Sequence, residues 1–100
     1  MAELKVKIHR SEIEAFCKKH HIKKLSFFGS VLREDFGPSS DVDVLVEFED
    51  GKTPGLAFFG MQEELGKILG RKVDLNTPGF LSKYFRDQVI REAKVQYVQA

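Results

Sequence analysis

Hydrophobic and polar residues alternate most clearly over residues 41–48, DVDVLVEF. Three valines occupy every second position, and two aspartates stand at the first two intervening positions. Because successive side chains of a strand point to opposite faces, this period of two predicts a strand with one apolar face. The opposite face then begins with two carboxylates, Asp41 and Asp43, which point the same way. The sequence therefore predicts a strand that is apolar on one side and acidic on the other.

Other repeating patterns predict the remaining elements. The motif S-x-x-E at Ser11 and Glu14 is a capping box, which predicts the start of a helix that should end near His20. Apolar residues spaced by three and four positions predict two further helices, and Gly70 suits the left-handed turn that ends the first of these. In chain order the predicted elements are this first helix, a strand over 23–28, one helical turn over 31–33, the strand over 41–48, a helix over 56–69, a strand over 71–76, a helix over 81–92, and a tail that is either a strand or frayed.

The order of these elements indicates the fold class. Helices alternate with strands, which is typical of an α/β fold with helices packed against a sheet. The second and third strands are joined by a helical crossover and should be parallel, whereas the first two could pair antiparallel. The 100 residues suffice for one domain with a modest core. We therefore expect a single α/β domain over residues 1–100, with a small mixed β-sheet flanked by helices.

Composition narrows the class of protein. The formal net charge is +1, so bulk electrostatics make no strong case for nucleic acid or an acidic membrane as partner. No apolar run approaches the roughly 20 residues of a membrane-spanning helix, and MAELKVKIHR lacks the apolar region of a secretory signal. The single cysteine, Cys17, cannot form an internal disulfide, which fits a reducing cytosol. We expect a cytoplasmic protein without a membrane partner.

The acidic face of the central strand is the first candidate for chemistry. The carboxylates of Asp41 and Asp43 would lie close enough to repel each other, and folding alone gives no reason to place them together. A divalent cation removes this objection, because Mg²⁺ prefers carboxylate oxygens, water and substrate phosphates as ligands. Two such ions can clamp the attacking and leaving oxygens of a displacement at phosphorus. Asp74, between two apolar residues of the next predicted strand, would add a third carboxylate if the two strands are neighbours.

A second candidate lies at the end of the first predicted strand. Gly29 allows the backbone to approach a ligand closely, and exposed N–H groups at the start of a helical turn bind phosphate oxygens. The hydroxyl of Ser30 adds a donor, and Arg33 supplies a guanidinium fork that suits phosphate. Candidate metal-binding and phosphate-binding groups therefore flank one turn, as phosphoryl or nucleotidyl transfer requires.

Together these motifs resemble a known superfamily. Gly29-Ser30, ten further residues and then Asp41-Val42-Asp43 are similar to the signature of the DNA polymerase beta-type nucleotidyltransferases. The stretches FFGSVLREDFGPSSDVDVLVEF and GRKVDL resemble those of the small MntA-like minimal nucleotidyltransferases. The resemblance covers roughly residues 23–97 and implies a polymerase-beta-type nucleotidyltransferase core.

The resemblance implies an activity and a partner. Such enzymes use ATP and Mg²⁺ and transfer a nucleoside monophosphate with release of pyrophosphate. Asp41 and Asp43 would bind both of two ions, Asp74 would bind only the ion that activates the acceptor hydroxyl, and Gly29 and Ser30 would hold the triphosphate. MntA-like members are antitoxins, which add AMP to a tyrosine of a HEPN-domain ribonuclease toxin, HepT, and so silence it.

Two alternatives remain open at this point. A non-catalytic binding module would neutralise a toxin by contact and keep the site as a relic, although the complete set of three aspartates favours an enzyme. A nucleotidyltransferase acting on a small molecule or an RNA end would keep the catalytic site and change the acceptor. The short chain disfavours it, because no second domain is available to build an acceptor pocket.

Overall fold

The computed structural model of the protein describes residues 9–29, 41–52, 54–84 and 86–99. The predicted helical turn over 31–33 lies outside these residues. The helices and strands, in chain order, are α1 (Arg10–Lys19), β1 (Ile22–Phe28), β2 (Val42–Phe48), α2 (Ala57–Leu69), β3 (Val73–Asn76), α3 (Arg86–Glu92) and β4 (Lys94–Val98), with a short 3-10 helix at Pro78–Phe80.

The four strands form one mixed sheet with the order β3-β2-β1-β4. Strands β2 and β3 are parallel, as the helical crossover between them predicts, and β1 pairs antiparallel with β2. The tail forms β4, which pairs antiparallel with β1 at the edge of the sheet. The expected α/β fold with a small mixed sheet is thus confirmed.

Helix α1 begins two residues before the position that the capping box predicts. The carbonyl of His9 accepts the N–H groups of Glu12 and Ile13 at 3.0 and 3.1 Å, so His9 occupies the N-cap. The capping-box interpretation of Ser11 was wrong, because Ser11 lies inside the first turn and no side chain caps the helix. The expected extent of the helix, to about His20, is confirmed.

The main hydrophobic core lies on the valine face of β2. Helices α1 and α2 contribute their apolar sides to it, and the strands contribute alternate residues, because paired residues of neighbouring strands share a face. The buried members are Ile13, Phe16, Cys17, Ile22, Leu25, Phe27, Val42, Val44, Val46, Phe58, Met61, Leu65, Leu69, Val73 and Leu75.

Helix α2 spans 13 residues and ends at Gly70, whose left-handed conformation (φ 67°, ψ 26°) confirms the expected C-terminal turn. The side chain of Gln62 accepts the N–H of Leu75 at 2.9 Å, so α2 satisfies a donor on the outer edge of β3. None of the helices in the described ranges has both the length and the apolar character needed to cross a bilayer.

The last helix is shorter than the expected 81–92, because α3 begins only at Arg86. Leu81 is buried, and its carbonyl accepts a hydrogen bond from Arg86 Nη2 at 3.0 Å. The hydroxyl of Ser82 accepts the N–H of Tyr84 at 3.3 Å and its carbonyl accepts the N–H of Arg86 at 2.9 Å, which are the two acceptor roles of a helix N-cap residue. Leu81 is extended (φ −79°, ψ 144°), so the residue that the apolar spacing places at the start of the helix precedes it.

Candidate active site

On the acidic face of the sheet, three paired residues form a row across three strands: Asp74 on β3, Asp43 on β2 and Phe28 on β1. We call these three residues the acid row, after its two aspartates. Asp43 is the register partner of Asp74 in the parallel pair and of Phe28 in the antiparallel pair. Register partners share a face and lie one strand spacing apart, about 4.8 Å. The sequence predicts that Asp74 lies near Asp43 only if their two strands are neighbours. The strands are neighbours, so the two aspartates lie side by side.

Gly29 directly follows the row at the end of β1. Its backbone is left-handed (φ 69°), which favours glycine. A Cβ atom at this position would overlap Oδ2 of Asp43 and lie 3.2 Å from its Cγ. The missing side chain therefore lets the Asp43 carboxylate rest against the Gly29 backbone, so that the predicted phosphate-binding glycine adjoins the predicted metal ligand.

Asp41 immediately precedes β2, at the same end of the sheet as the acid row. The N–H of Val42 donates to the carbonyl of Lys72 at 2.9 Å, which joins the beginning of β2 to the segment that leads into β3. Asp41 and Asp74 are exposed and Asp43 is half-buried. All three carboxylates therefore lie at one end of the sheet.

The predicted metal site is not assembled as a cluster of protein ligands. Within residues 9–29, 41–52, 54–84 and 86–99, no group of three or more His, Cys, Asp or Glu side chains is placed to hold a metal ion. The donor chemistry nonetheless suits Mg²⁺, which is commonly held by one or two carboxylates while water and substrate phosphates supply the other oxygens. The metal-binding roles of Asp41, Asp43 and Asp74 remain predictions. The predicted phosphate-binding residues Ser30 and Arg33 lie outside the described residues.

Cys17 offers no alternative nucleophile. It is fully buried in the core between α1 and the sheet, and burial raises the pKa of its thiol to about 12. A thiol of this kind stays protonated at neutral pH and is inert. Its role is packing.

A feature that sequence reasoning missed is a groove between the end of α2 and the beginning of β3. Its volume is about 600 Å³, and three basic side chains, Lys67, Arg71 and Lys72, line it. In the sequence these residues are ordinary surface cations, two of them in a basic pair. Only the packing of α2 on β3 brings them to one groove.

A protein-family comparison decides the class. The family model described as "Nucleotidyltransferase domain" matches residues 10–96. The chain belongs to this nucleotidyltransferase family. The predicted enzyme class is thereby confirmed, and the acid row and Gly29 both lie within the matched residues.

Two curated archaeal relatives match most of this nucleotidyltransferase. A protein of Methanocaldococcus jannaschii, named as a candidate protein adenylyltransferase, is 37% identical over 75 residues, which is 75% of this chain and 80% of the relative. The protein adenylyltransferase MntA of Thermococcus cleftensis is 33% identical over 85 residues, 84% of this chain and 81% of the relative. The resemblance to MntA-like proteins is confirmed.

Three solved structures share the fold. A candidate minimal nucleotidyltransferase is 36% identical, with a TM-score of 0.69 and coverage of 84% of this chain and 85% of that chain. A toxin–antitoxin structure with AMP-PNP has a TM-score of 0.73 at 20% identity, covering 92% and 75%. A tri-AMPylated Shewanella oneidensis HEPN toxin in complex with MNT antitoxin has a TM-score of 0.64 at 21% identity, covering 90% and 70%. The two distant matches establish the fold alone.

Proposed function

We propose that this nucleotidyltransferase transfers AMP from ATP to a hydroxyl group of a partner protein and acts as the antitoxin of a toxin–antitoxin pair. The observation that carries the proposal is the acid row with Gly29 against it. The name of the Thermococcus relative, a protein adenylyltransferase, supports the reaction. The toxin–antitoxin structure with AMP-PNP, which shares the fold, supports both the ATP substrate and the biological role.

The order of the strands gives the proposed site two sides. Gly29 follows β1, Asp43 lies on β2, and Asp74 lies on β3 at the edge of the sheet. The triphosphate of ATP would lie on the Gly29 side, held by the backbone there and by Ser30 and Arg33. The acceptor hydroxyl would then approach from the Asp74 side. In this arrangement, Asp43 lies between donor and acceptor.

The proposed reaction is a displacement at the α-phosphorus of ATP. The acceptor oxygen forms a bond to that phosphorus while the bond to the bridging oxygen breaks, and pyrophosphate leaves with the bonding electron pair. The proton of the acceptor hydroxyl passes to a carboxylate of the acid row, for which Asp74 is the group on the acceptor side. The contribution of the chain is mainly to position the two substrates and to keep them in line.

Mg²⁺ is the metal that this donor set suits. Asp41 and Asp43 would hold two ions together with phosphate oxygens, and Asp74 would contribute to the one on the acceptor side. When bound, these ions would neutralise the negative charge that develops on the phosphates. The repulsion between the carboxylates would then be relieved only in the complex with metal and nucleotide.

We further propose that the acceptor is a tyrosine of a HEPN-domain toxin. The support is the Shewanella complex, in which a HEPN toxin is tri-AMPylated and bound to an MNT antitoxin. A protein acceptor suits the proposed site, because the acceptor's own surface can complete the acceptor pocket. The alternative acceptors, a small molecule and an RNA end, lack this support.

The test uses ATP labelled at the α-phosphate. The purified chain is incubated with this ATP, Mg²⁺ and an extract of cells that encode it, and the products are separated on a denaturing gel. We expect one labelled protein band, whose modified residue is then identified as tyrosine by mass spectrometry. The control is the double variant Asp41→Asn, Asp43→Asn, which should give no band.

Each other outcome selects a different function. Label in RNA or in small molecules alone would retain the nucleotidyltransferase and reject the antitoxin role. No label in any fraction, with the toxin known to be in the extract, would favour the non-catalytic binding module. A band that persists in the double variant would remove Asp41 and Asp43 from the mechanism.

A further inference from the structure

Next to the acid row, the same face of the sheet carries a second, buried row. Leu45 and Ser26 are register partners, and each lies two residues along its strand from Asp43 or Phe28, a step of about 6.5 Å. Both are buried, and Leu45 does not belong to the main core under α1 and α2. Leu81, which follows β3 in the chain, is likewise buried outside that core. A second layer therefore covers the acidic face beside the acid row.

The segment between β3 and β4 supplies this layer. These two strands are parallel to each other, because β3 is parallel to β2, and β1 is antiparallel to both β2 and β4. Connections between parallel strands of one sheet are right-handed in nearly all proteins. The connection through α2 crosses the core face from β2 to β3, and the connection through α3 returns across the sheet in the opposite direction. The segment with α3 therefore crosses the acidic face, over β2 and β1.

Arg86 is the charged residue on the half-buried side of α3. The half-buried residues of this helix and its end are Arg86, Val89 and Ala93, whose spacing by three and four positions places them on one face. Nη2 of Arg86 donates to the carbonyl of Leu81, whereas its Nε is buried and has no hydrogen-bond partner among the described residues. The guanidinium also forms no ion pair within those residues. A buried donor without a partner is costly, so this guanidinium suits an anionic ligand.

The position of α3 beside the proposed reaction indicates which anion this is. In the proposed displacement the pyrophosphate leaves on the Gly29 side and the acceptor attacks from the Asp74 side, so the reacting atoms form a line across the strands. The row that α3 covers is displaced along the strands, to one side of that line. The nonbridging oxygens of the α-phosphorus also point to the sides of the line, and they share the negative charge of the transition state.

We propose that Arg86 binds a nonbridging oxygen of the α-phosphate of ATP and holds that phosphate in line for attack. The inference rests on the proposed function for the reaction, and on the unpartnered Nε and the face that α3 covers for the residue. Arg86 donates hydrogen bonds and transfers no proton, since a guanidinium stays charged. Local sequence does not distinguish this arginine from its neighbours, and the crossing of α3 over the acidic face does.

The test uses the two products of the proposed reaction as separate probes. AMP carries the α-phosphate, and pyrophosphate carries the other two phosphates. Each competes with a fluorescent ATP analogue in the presence of Mg²⁺, and fluorescence anisotropy gives its affinity for the original chain and for each variant. For Arg86→Gln we expect AMP to bind about tenfold more weakly, as loss of a hydrogen bond between charged groups implies. Pyrophosphate should bind within about twofold of its original affinity.

Two further variants separate the contact from bulk charge and from folding. Arg91→Gln makes the same change of charge at an exposed position of the same helix and should leave both affinities within about twofold. Arg86→Lys keeps the charge without the guanidinium fork and should recover part of the AMP affinity. Urea unfolding measures the stability of each variant. If Arg86→Gln does not fold, the ratio of AMP to pyrophosphate affinity in Arg86→Lys decides the question instead.

Several results would overturn the proposal. Unchanged AMP affinity in folded Arg86→Gln would leave Arg86 with a structural role only, and weaker binding of pyrophosphate alone would place it at the leaving group. Equal loss in Arg91→Gln would indicate bulk charge. If the original chain binds neither product nor the ATP analogue, the proposed function fails together with the inference. If AMP binding depends on Arg86 while the labelling experiment gives no product, the contact stands and AMP transfer is overturned.

Discussion

The two faces of the sheet use the same strands for different purposes. On one face, alternate residues of β1, β2 and β3 are buried under α1 and α2 and form the core. On the other face, the same strands carry Asp74, Asp43 and Phe28 in register. Asp74 and the neighbouring Asp41 are exposed, and Asp43 is half-buried. One face thus holds the fold together, and the other carries the candidate chemistry.

This division has a physical basis in the period of two. A single-residue step along β2 exchanges a buried valine for a half-buried aspartate, so neighbours in sequence have unrelated roles. Substitutions on the core face should lower stability and leave chemistry in the folded molecules intact. Substitutions of the aspartates on the acid face should do the reverse, although Leu45, farther along that face, is buried. The following predictions test this separation.

The largest effect is expected from Asp43→Asn. The change removes a carboxylate from the centre of the acid row and should reduce AMP transfer by at least about 100-fold. The free energy of unfolding should change by less than about 1 kcal/mol, since a buried apolar contact is not lost. Asp50→Asn, at the exposed turn after β2, is the control and should retain full transfer. Full transfer by Asp43→Asn at matched circular dichroism would refute the mechanism.

A core substitution should have the opposite profile. Leu65 of α2 is fully buried, and Leu65→Ala should cost about 2 to 5 kcal/mol of unfolding free energy, as truncation in a core does. The matched control is Leu56→Ala, because Leu56 is 86% exposed and should cost little. Urea unfolding measures both changes. Transfer per folded Leu65→Ala molecule should stay within about twofold, and a large selective loss of transfer would break the separation of the faces.

Gly29→Ala tests whether the backbone at the acid row matters for chemistry. The new Cβ would displace the Asp43 carboxylate, so we expect transfer to fall about tenfold or more. The left-handed conformation adds a stability cost of about 1 to 2 kcal/mol. Gly51→Ala is the control that separates the backbone cost from the displacement of Asp43. Gly51 has a similar φ of 75°, but a Cβ atom there would meet no atom within 4 Å. Equal loss of transfer in both variants would contradict the close-approach explanation.

The smallest expected effect is at Glu64, on the helical layer that covers the core. Its carboxylate accepts hydrogen bonds from Lys19 Nζ and His20 Nε2, each at 3.0 Å. Burial raises the pKa of Glu64, and the hydrogen bonds from Lys19 and His20 outweigh burial, so that pKa lies below its ordinary value near 4.5. A carboxyl with a lower pKa in the folded state stabilises the protein above its unfolded pKa, and that contribution is lost as the pH falls through the folded pKa.

Glu64→Gln should therefore lower stability at neutral pH and have less effect in acid. We expect about 0.2 to 1 kcal/mol at neutral pH, because the side chain is about one-third exposed and solvent screens the pair. The difference from the original chain should shrink below about pH 4.5. Chemical denaturation at a series of pH values measures it, with the exposed neighbour change Glu63→Gln as control. A stability difference between Glu64→Gln and the original chain that grows in acid would contradict a lowered pKa of Glu64 in the folded state.

Much of the fold follows from local patterns. The alternation in β2, the spacing of apolar residues in α2 and the glycine after it predict these elements almost to the residue. Two local predictions place the start of a helix wrongly. Ser11 does not cap α1, because His9 takes that position, and the last helix begins after Leu81, which is extended.

The sequence by itself determined the chemical character of the site, since two alternating aspartates and a glycine at a strand end need no tertiary information to be recognised. Only the tertiary structure decided which side chains are neighbours. The order β3-β2-β1 places Asp74 beside Asp43, and the packing of α2 on β3 brings Lys67 to one groove with the Arg71-Lys72 pair. The reason is that spacing along a chain fixes direction within one element, whereas neighbourhood between elements depends on strand pairing and helix packing.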